Sequence, residues 1–135
     1  MTFTDIDEAL PNGFHDATIL HFSLDAEANT LTMRMSVWVG TPEDLERYGS
    51  IEVIAKYVPV FFIEPPDPSY PFQVDGNGLA VSGDSPEIGV SQFISEDAEK
   101  VLSKLPSDNG SYRFFLENWN SFLYLAAQDV SFSWI

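Results

Sequence analysis

Two adjoining arms of sequence determine the architecture of this chain: Phe14-His15-Asp16-Ala17-Thr18-Ile19-Leu20-His21-Phe22-Ser23-Leu24 and, after a polar turn, Leu31-Thr32-Met33-Arg34-Met35-Ser36-Val37-Trp38-Val39. In the second arm every odd position is apolar, whereas most of the even positions are polar. This period of two is typical of a strand with one buried face. The first arm alternates in the same way, although less cleanly. The two arms therefore predict a β-hairpin.

The turn of this hairpin, residues 25–30, contains Asp and Asn, which tolerate turn conformations because they bond to their own main chain. Closing the hairpin with Leu24 opposite Leu31 predicts four further cross-strand neighbours. They are Phe22 with Met33, Leu20 with Met35, Thr18 with Val37 and, on the other face, His21 with Arg34. A slip of one residue would turn the apolar row of the second arm outward, so the register is strongly specified. We expect Met33 and Met35 in the core.

The composition predicts a single acidic domain over residues 1–135. Hydrophobic residues make up 44% of the chain and aromatic residues 14%, which is enough for a packed core. Asp and Glu number 21 against 6 Lys and Arg, which gives a formal net charge of −15. Nucleic acid and anionic membrane surfaces would repel such a chain, whereas a basic protein would attract it. Solubility alone is an equally simple explanation of the acidity.

The sequence contains no cysteine, which excludes disulfides and thiolate metal sites. Residues 1–8 hold no basic segment followed by an apolar run, so they do not have the pattern of a signal peptide. No apolar run approaches the roughly eighteen residues that a membrane span requires. From these features we expect a cytoplasmic protein with no membrane contact.

The remaining sequence predicts further strands and two helical segments. Residues 51–63 form a third strand in this interpretation, and Pro59 places a bulge or a sheet edge there. Shorter strands are predicted over residues 79–81, 112–116, 121–127 and 130–134, with a helical turn over 6–10 and a capped amphipathic helix over 95–105. About six strands and one short covering helix favour an α+β fold with a mainly antiparallel sheet. An all-β barrel or sandwich is the alternative.

His15 and Asp16 are the residues that most resemble a catalytic pair, a base beside a carboxylate. Neighbouring residues of a strand face opposite ways, so we expect these two side chains not to pair directly. Hydrogen bonds to the main chain at the start of the strand are the simpler role. No nucleophile elbow, phosphate-binding loop or EF-hand loop accompanies them. We therefore predict no enzyme activity, no cofactor and no metal, with a small hydrolase using His15 and Asp16 as a lesser alternative.

Two further stretches suggest binding rather than catalysis. The proline-rich loop over residues 64–72 holds Asp67, Tyr70 and Phe72 on a stiff extended scaffold, which could be a contact surface or a plain connector. Trp119 lies in a tight turn between two predicted strands. Its indole either packs over the edge of the core or is an exposed anchor of the kind that dominates interfaces.

Four motifs together suggest a family: Leu10-Pro11-Asn12-Gly13-Phe14-His15-Asp16-Ala17, Val37-Trp38-Val39-Gly40, Ile63-Glu64-Pro65-Pro66-Asp67-Pro68-Ser69-Tyr70-Pro71 and Asn118-Trp119-Asn120-Ser121-Phe122. With them the chain resembles small bacterial proteins, some of which look like immunity proteins of toxin systems. The resemblance implies stoichiometric binding of a toxin, and it supplies no catalytic residues that could be carried over to this chain. It does not extend to residues 86–110.

An acidic inhibitor would be steered to the basic cleft of a toxin that acts on nucleic acid. The sequence therefore predicts a non-enzymatic binding protein with a basic protein partner. The candidate binding residues are His15, Asp16, Asp67, Tyr70, Phe72 and Trp119. The alternative is a structural domain that forms a homodimer through an edge strand or a loop.

Overall fold

The computed structural model describes residues 1–41, 43, 47–69, 78–85, 100 and 111–135, with residues 84 and 85 described for their main chain alone. Its elements are α1 (Phe3–Ala9), β1 (Ala17–Asp25), β2 (Thr30–Trp38), β3 (Tyr48–Lys56), β4 (Val60–Ile63), β5 (Leu79–Ser85), β6 (Ser111–Leu116), β7 (Ser121–Ala126) and β8 (Asp129–Trp134). The strands form one sheet in the order β4-β7-β6-β5-β1-β2-β3-β8. Every neighbouring pair is antiparallel.

The predicted fold class is confirmed in its main feature, an antiparallel sheet accompanied by a short helix. The strand count differs from the prediction, since the sheet contains eight strands rather than about six. The described helix is α1, where a helical turn over 6–10 was expected. The covering helix predicted over 95–105 lies outside the described residues. No described helix is long and apolar enough to cross a membrane.

The hairpin of β1 and β2 is confirmed, together with the burial of Met33 and Met35. Its predicted register is correct near the turn, where Leu24 faces Leu31 and Phe22 faces Met33. The register then shifts between Ile19 and His21, so that Ile19 faces Met35 and Thr18 faces Ser36. The predicted pairs of Leu20 with Met35 and Thr18 with Val37 are therefore wrong. The extra residue is Leu20, which forms a β-bulge and is 45% exposed.

The single strand predicted over residues 51–63 is two strands. Tyr57 adopts a left-handed conformation with φ of 54°, which ends β3 and turns the chain toward β4. Of the strands that the structure describes, β7 alone pairs with the short strand β4, which forms one edge of the sheet. Pro59 directly precedes this edge strand, in agreement with the expectation of an edge or a bulge at that position.

The sheet curls back on itself because short connections join its two ends. β3 and β4 lie six places apart in the strand order, which would be about 29 Å in a flat sheet. Four peptide units from Lys56 to Val60 reach at most about 15 Å. In agreement, the Phe22 ring of β1 lies 5.4 Å from the Phe61 ring of β4, although these strands are four places apart. The core therefore fills the space between the two halves of the curled sheet.

α1 packs between β6 and β8 and contributes Phe3 and Ile6 to the core. Its first turn is closed by a capping box, in which the Thr2 hydroxyl accepts the Asp5 N–H and the Asp5 carboxylate accepts the Thr2 N–H. An aromatic cluster then joins the helix to the sheet. Its members are Phe3, Phe14, Tyr112 and Phe114, with neighbouring ring centroids 4.8–5.9 Å apart.

Candidate functional site

The segment between α1 and β1 is held by a carboxylate from the helix. Asp7 accepts the main-chain N–H of Phe14 at 2.6 Å. Gly13 has φ of 56°, and a Cβ at this position would lie 2.5 Å from Asp7 Oδ1. A glycine is therefore required where the chain passes the carboxylate. This contact fixes the direction in which the chain enters β1.

The same segment is fastened to the end of β2 by Asn12. Its side-chain amide donates to the carbonyl oxygen of Trp38 at 3.0 Å and to that of Gly40 at 2.9 Å. Both acceptors lie at the end of β2, where carbonyl groups without a strand partner would otherwise need water as their hydrogen-bond donor. The residues that follow Gly13 are consequently held close to Trp38.

His15 and Asp16 project into solvent from this fixed segment. The His15 Nε2 atom lies 3.4 Å from Asp16 Oδ2, and the two side chains are 68% and 52% exposed. The expectation that they cannot pair is wrong, because Asp16 has φ of 56° and the two residues precede β1 rather than alternating within it. The role expected for them, bonding to the main chain at the strand start, belongs instead to Asp7 and Asn12.

The imidazole of His15 also lies beside an aromatic pair. Its ring centroid is 6.1 Å from that of Trp38, at an interplanar angle of 48°. Trp38 faces Tyr48 directly across β2 and β3, and Tyr48 is 48% exposed. Directly opposite residues in antiparallel strands place their side chains on one face, about 5 Å apart at Cβ. We call His15, Asp16, Trp38 and Tyr48 the aromatic corner.

The aromatic corner offers a solvent-exposed imidazole and carboxylate beside an aromatic pair. A general base acts efficiently where a nucleophile lies within hydrogen-bond reach and water is excluded. His15 and Asp16 are both open to solvent, and the contacts described for them are with each other and with Trp38. Among the described residues, no group of three or more His, Asp or Glu side chains could hold a metal ion. His21, the other histidine, lies beside Arg34 on the outer face of the hairpin.

Asp67 and Trp119 lie together at a second place, where the proline-rich loop runs along the turn between β6 and β7. The Asp67 N–H donates to the Trp119 carbonyl at 2.9 Å. The loop is also held at Glu64, whose N–H donates to the Phe122 carbonyl at 2.9 Å and whose carbonyl accepts the Ser121 hydroxyl at 3.1 Å. The described part of the loop, residues 64–69, is therefore fixed against the end of the sheet.

The Asp67 carboxylate is occupied by contacts within the protein. Oδ1 accepts the hydroxyl of Ser69 at 2.7 Å and its N–H at 2.9 Å, and Oδ2 accepts the side-chain amide of Asn120 at 2.9 Å. The Ser69 hydroxyl, then the Ser69 N–H, then Asn120 hold the pKa of Asp67 below its ordinary value. We therefore assign Asp67 to holding the loop against the turn.

The remaining predicted binding residues are Trp119, Tyr70 and Phe72. Trp119 is half-buried and packs against the core, so its indole covers the core edge rather than standing out as an anchor. Tyr70 and Phe72 lie outside the described residues. Trp38 and Tyr48 were not among the predicted binding residues, although strong alternation placed Trp38 on the outer face. The corner is assembled by the bond from Asn12 to Trp38, which brings His15 close, and by the pairing of Trp38 with Tyr48 across two strands.

No family model, curated protein or solved structure matches the chain. The resemblance to immunity-type proteins accordingly stays a prediction.

Proposed function

We propose that the protein binds a basic protein partner in a stoichiometric complex, through the aromatic corner and without catalysing a reaction. The observation that carries this proposal is the pairing of Trp38 with Tyr48 at the surface of a chain whose net charge is −15. Exposed Tyr and Trp side chains are enriched among the residues that dominate binding energies. Their combination with the strongly acidic net charge of the chain suits a cationic partner.

The charge would act mainly on association. A chain with 15 excess negative charges attracts a basic partner over distances comparable to the Debye length, about 8 Å at physiological ionic strength. Complementary charge mainly raises the association rate and disfavours acidic competitors. Its effect on the equilibrium affinity is smaller. We expect binding that becomes faster as salt is lowered.

The aromatic corner would supply the contact after encounter. An Arg or Lys head group of the partner would rest on the ring of Tyr48 or Trp38, and such a contact is worth about 0.5–1 kcal/mol at an exposed site and about 2 kcal/mol once the complex excludes water. Asp16 lies beside His15 at 52% side-chain exposure, where its carboxylate could accept a charge-assisted hydrogen bond from the partner. Asn12 and Asp7 hold the segment in place, so little ordering is needed when the partner binds.

The partner that fits best is a bacterial toxin that acts on nucleic acid. Such toxins carry basic clefts for the phosphate backbone, and an acidic protein seated on that cleft would block the substrate. On this proposal the chain is an immunity protein. The support consists of the net charge, the aromatic pair of exposed Tyr48 and half-buried Trp38, and the motifs quoted above.

The test uses the product of the gene directly upstream of this one. That protein is expressed alone, with this chain, and with the Tyr48→Ala variant of this chain, while growth is followed. The proposal predicts that the neighbour arrests growth alone, that this chain restores growth, and that the purified pair elutes as a 1:1 complex. A harmless neighbour, or arrest that persists with this chain present, would overturn the proposal.

A further inference from the structure

Among the described strands, β8 forms the second edge of the sheet and pairs with β3 alone. The Ile135 N–H donates to the Ser50 carbonyl of β3 at 3.0 Å, so odd-numbered residues of this segment direct their polar main-chain groups toward β3. Even-numbered residues direct theirs outward. In agreement, the Val130 N–H donates to the Met1 carbonyl at 2.9 Å, away from β3. Within the described part of the chain, the outward groups of Phe132 and Trp134 are left for a further strand.

Met1 covers this edge at Val130, but from Ser131 to Trp134 the edge carries none of the usual protection against pairing. In native proteins, Lys, Pro, a bulge or a covering segment commonly prevents an edge strand from pairing with another chain. Residues 130–134 read Val-Ser-Phe-Ser-Trp, with no charge, Pro or Gly. Trp134 is 52% exposed, and Ser131 and Ser133 are exposed as well. An uncharged, aromatic edge on a chain of net charge −15 is one of the places where two copies can meet without opposing carboxylates.

We infer that β8 pairs with β8 of a second copy, antiparallel and centred on Ser133. In this register Phe132 of each copy faces Trp134 of the other, and the two residues exchange main-chain hydrogen bonds. The position of Met1 selects the register, because a pair centred on Phe132 would require the Val130 N–H that Met1 already accepts. Each Phe–Trp pair also covers an exposed indole, and aromatic cross-strand pairs stabilise sheets.

Electrostatic repulsion sets the conditions under which this dimer forms. Glu52 faces Ser133 across β3 and β8, so in the dimer the two Glu52 residues lie three strand spacings apart, about 14 Å. That separation exceeds the Debye length of about 8 Å at physiological ionic strength. The net charges of the two copies still repel, and the dimer is therefore tighter at high salt. A complex with a basic partner has the opposite salt dependence, so the two interactions are distinguishable.

The register is tested with single cysteines in a chain that has none of its own. Ser133→Cys places the two introduced thiols directly opposite at a pair without main-chain hydrogen bonds, where Cα atoms lie about 4.5 Å apart, within disulfide range. Ser131→Cys is the matched control. In the same register, position 131 of one copy lies four residues along the strand from position 131 of the other, a distance of about 13 Å. Under mild oxidation we expect a covalent dimer of Ser133→Cys and none of Ser131→Cys. Equal cross-linking of the two variants, or a disulfide only in their mixture, would overturn the register.

The dimer itself is tested by sedimentation velocity of the wild-type chain over a range of concentrations. Salt is varied from about 0.01 M to about 1 M, where the Debye length falls from about 30 Å to about 3 Å. We expect a reversible dimer that strengthens with salt and is lost in Ser133→Glu, which sets two carboxylates against each other beside the two Glu52 residues. A chain that is monomeric under every condition would overturn the inference. So would a β8 edge that takes up a basic peptide while the chain stays monomeric.

Discussion

The carboxylate of Asp7 accepts the main-chain N–H of Phe14 at 2.6 Å, so that a side chain of α1 fixes the path by which the chain reaches β1. Phe14 is fully buried beside Tyr112 and Phe114, while the next residue, His15, is exposed. The direction of the chain at this point therefore separates core from surface. The aromatic corner depends on a helix residue with which it has no direct contact.

Replacing Asp7 with Ala is expected to destabilise the fold by about 1–3 kcal/mol, because it leaves a partly buried N–H without its acceptor. Asp7→Asn keeps an acceptor oxygen and should lose less. Glu8→Ala is the control, since this neighbouring side chain is exposed and its removal should change stability by less than about 0.5 kcal/mol. Urea denaturation measures all three. Equal stability of Asp7→Ala and Glu8→Ala would show that the hydrogen bond is not needed.

The β-bulge in β1 predicts opposite outcomes for two adjacent aliphatic residues. Ile19 is 2% exposed and Leu20 is 45% exposed. Ile19→Ala should therefore cost about 2–5 kcal/mol, the range for a buried aliphatic side chain, while Leu20→Ala should cost far less. Thermal or chemical denaturation of the two variants decides the matter. A larger loss at Leu20 would mean that the strand alternates without a bulge.

Gly78 approaches the main chain of β1 so closely that a side chain cannot be added. It has φ of 103°, and a Cβ would lie 2.5 Å from the carbonyl oxygen of Ile19. Gly78→Ala should cost at least about 1–3 kcal/mol, because the strained conformation and the steric conflict both oppose folding. Hydrogen exchange of β1 and β5 amides would increase at the same time. Ser23→Ala, an exposed change in β1, is the control and should leave both measurements unchanged.

Because Asp67 accepts hydrogen bonds in the folded protein, the effect of replacing it on the free energy of unfolding should depend on pH. Because its pKa in the folded protein is lowered, Asp67 contributes stability that is present above its unfolded pKa of about 3.9. That contribution is lost as the pH falls through the folded pKa. Asp67→Asn should therefore be less stable than wild type at neutral pH, and the difference should shrink below about pH 4.

The cause of this shift is tested by an NMR titration of the Asp67 carboxyl group. The Ser69 hydroxyl is the largest cause of the lowered pKa, so Ser69→Ala should move the pKa of Asp67 upward. Ser23→Ala, far along the sequence in β1, should leave it in place. An unchanged pKa in Ser69→Ala would contradict the hydrogen-bonding pattern described for the loop.

The sequence predicted those parts of the fold that depend on local patterns. The alternation from Leu31 onward identified the buried face of β2, and the polar turn set the register from Leu24 to His21. The only sign of the bulge in the sequence is the pair of adjacent apolar residues Ile19 and Leu20. This sign can be interpreted only when it is known that inward-facing residues are odd-numbered up to Ile19 and even-numbered from Phe22. The break at Tyr57 was not predictable, because a tyrosine at positive φ runs against its own preference.

The candidate site was predictable in part for a similar reason. His15 and Asp16 were identified from residue type, but their pairing depends on the left-handed conformation of Asp16. The aromatic corner needs the long-range pairing of Trp38 with Tyr48, and Asp67 needs Asn120, 53 residues away. Contacts of this kind come from the sheet topology, which short-range patterns do not contain.

The most direct test of the proposed function compares two exposed tyrosines at opposite ends of the same strand. Tyr48 lies in the aromatic corner and Tyr57 follows the far end of β3, about 30 Å away. Titration calorimetry against the purified upstream gene product would give the affinities of wild type, Tyr48→Ala and Tyr57→Ala. We expect Tyr48→Ala to weaken binding at least about tenfold, about 1.4 kcal/mol, and Tyr57→Ala to leave it unchanged. Equal affinities for all three proteins, or a loss confined to Tyr57→Ala, would contradict binding through the aromatic corner.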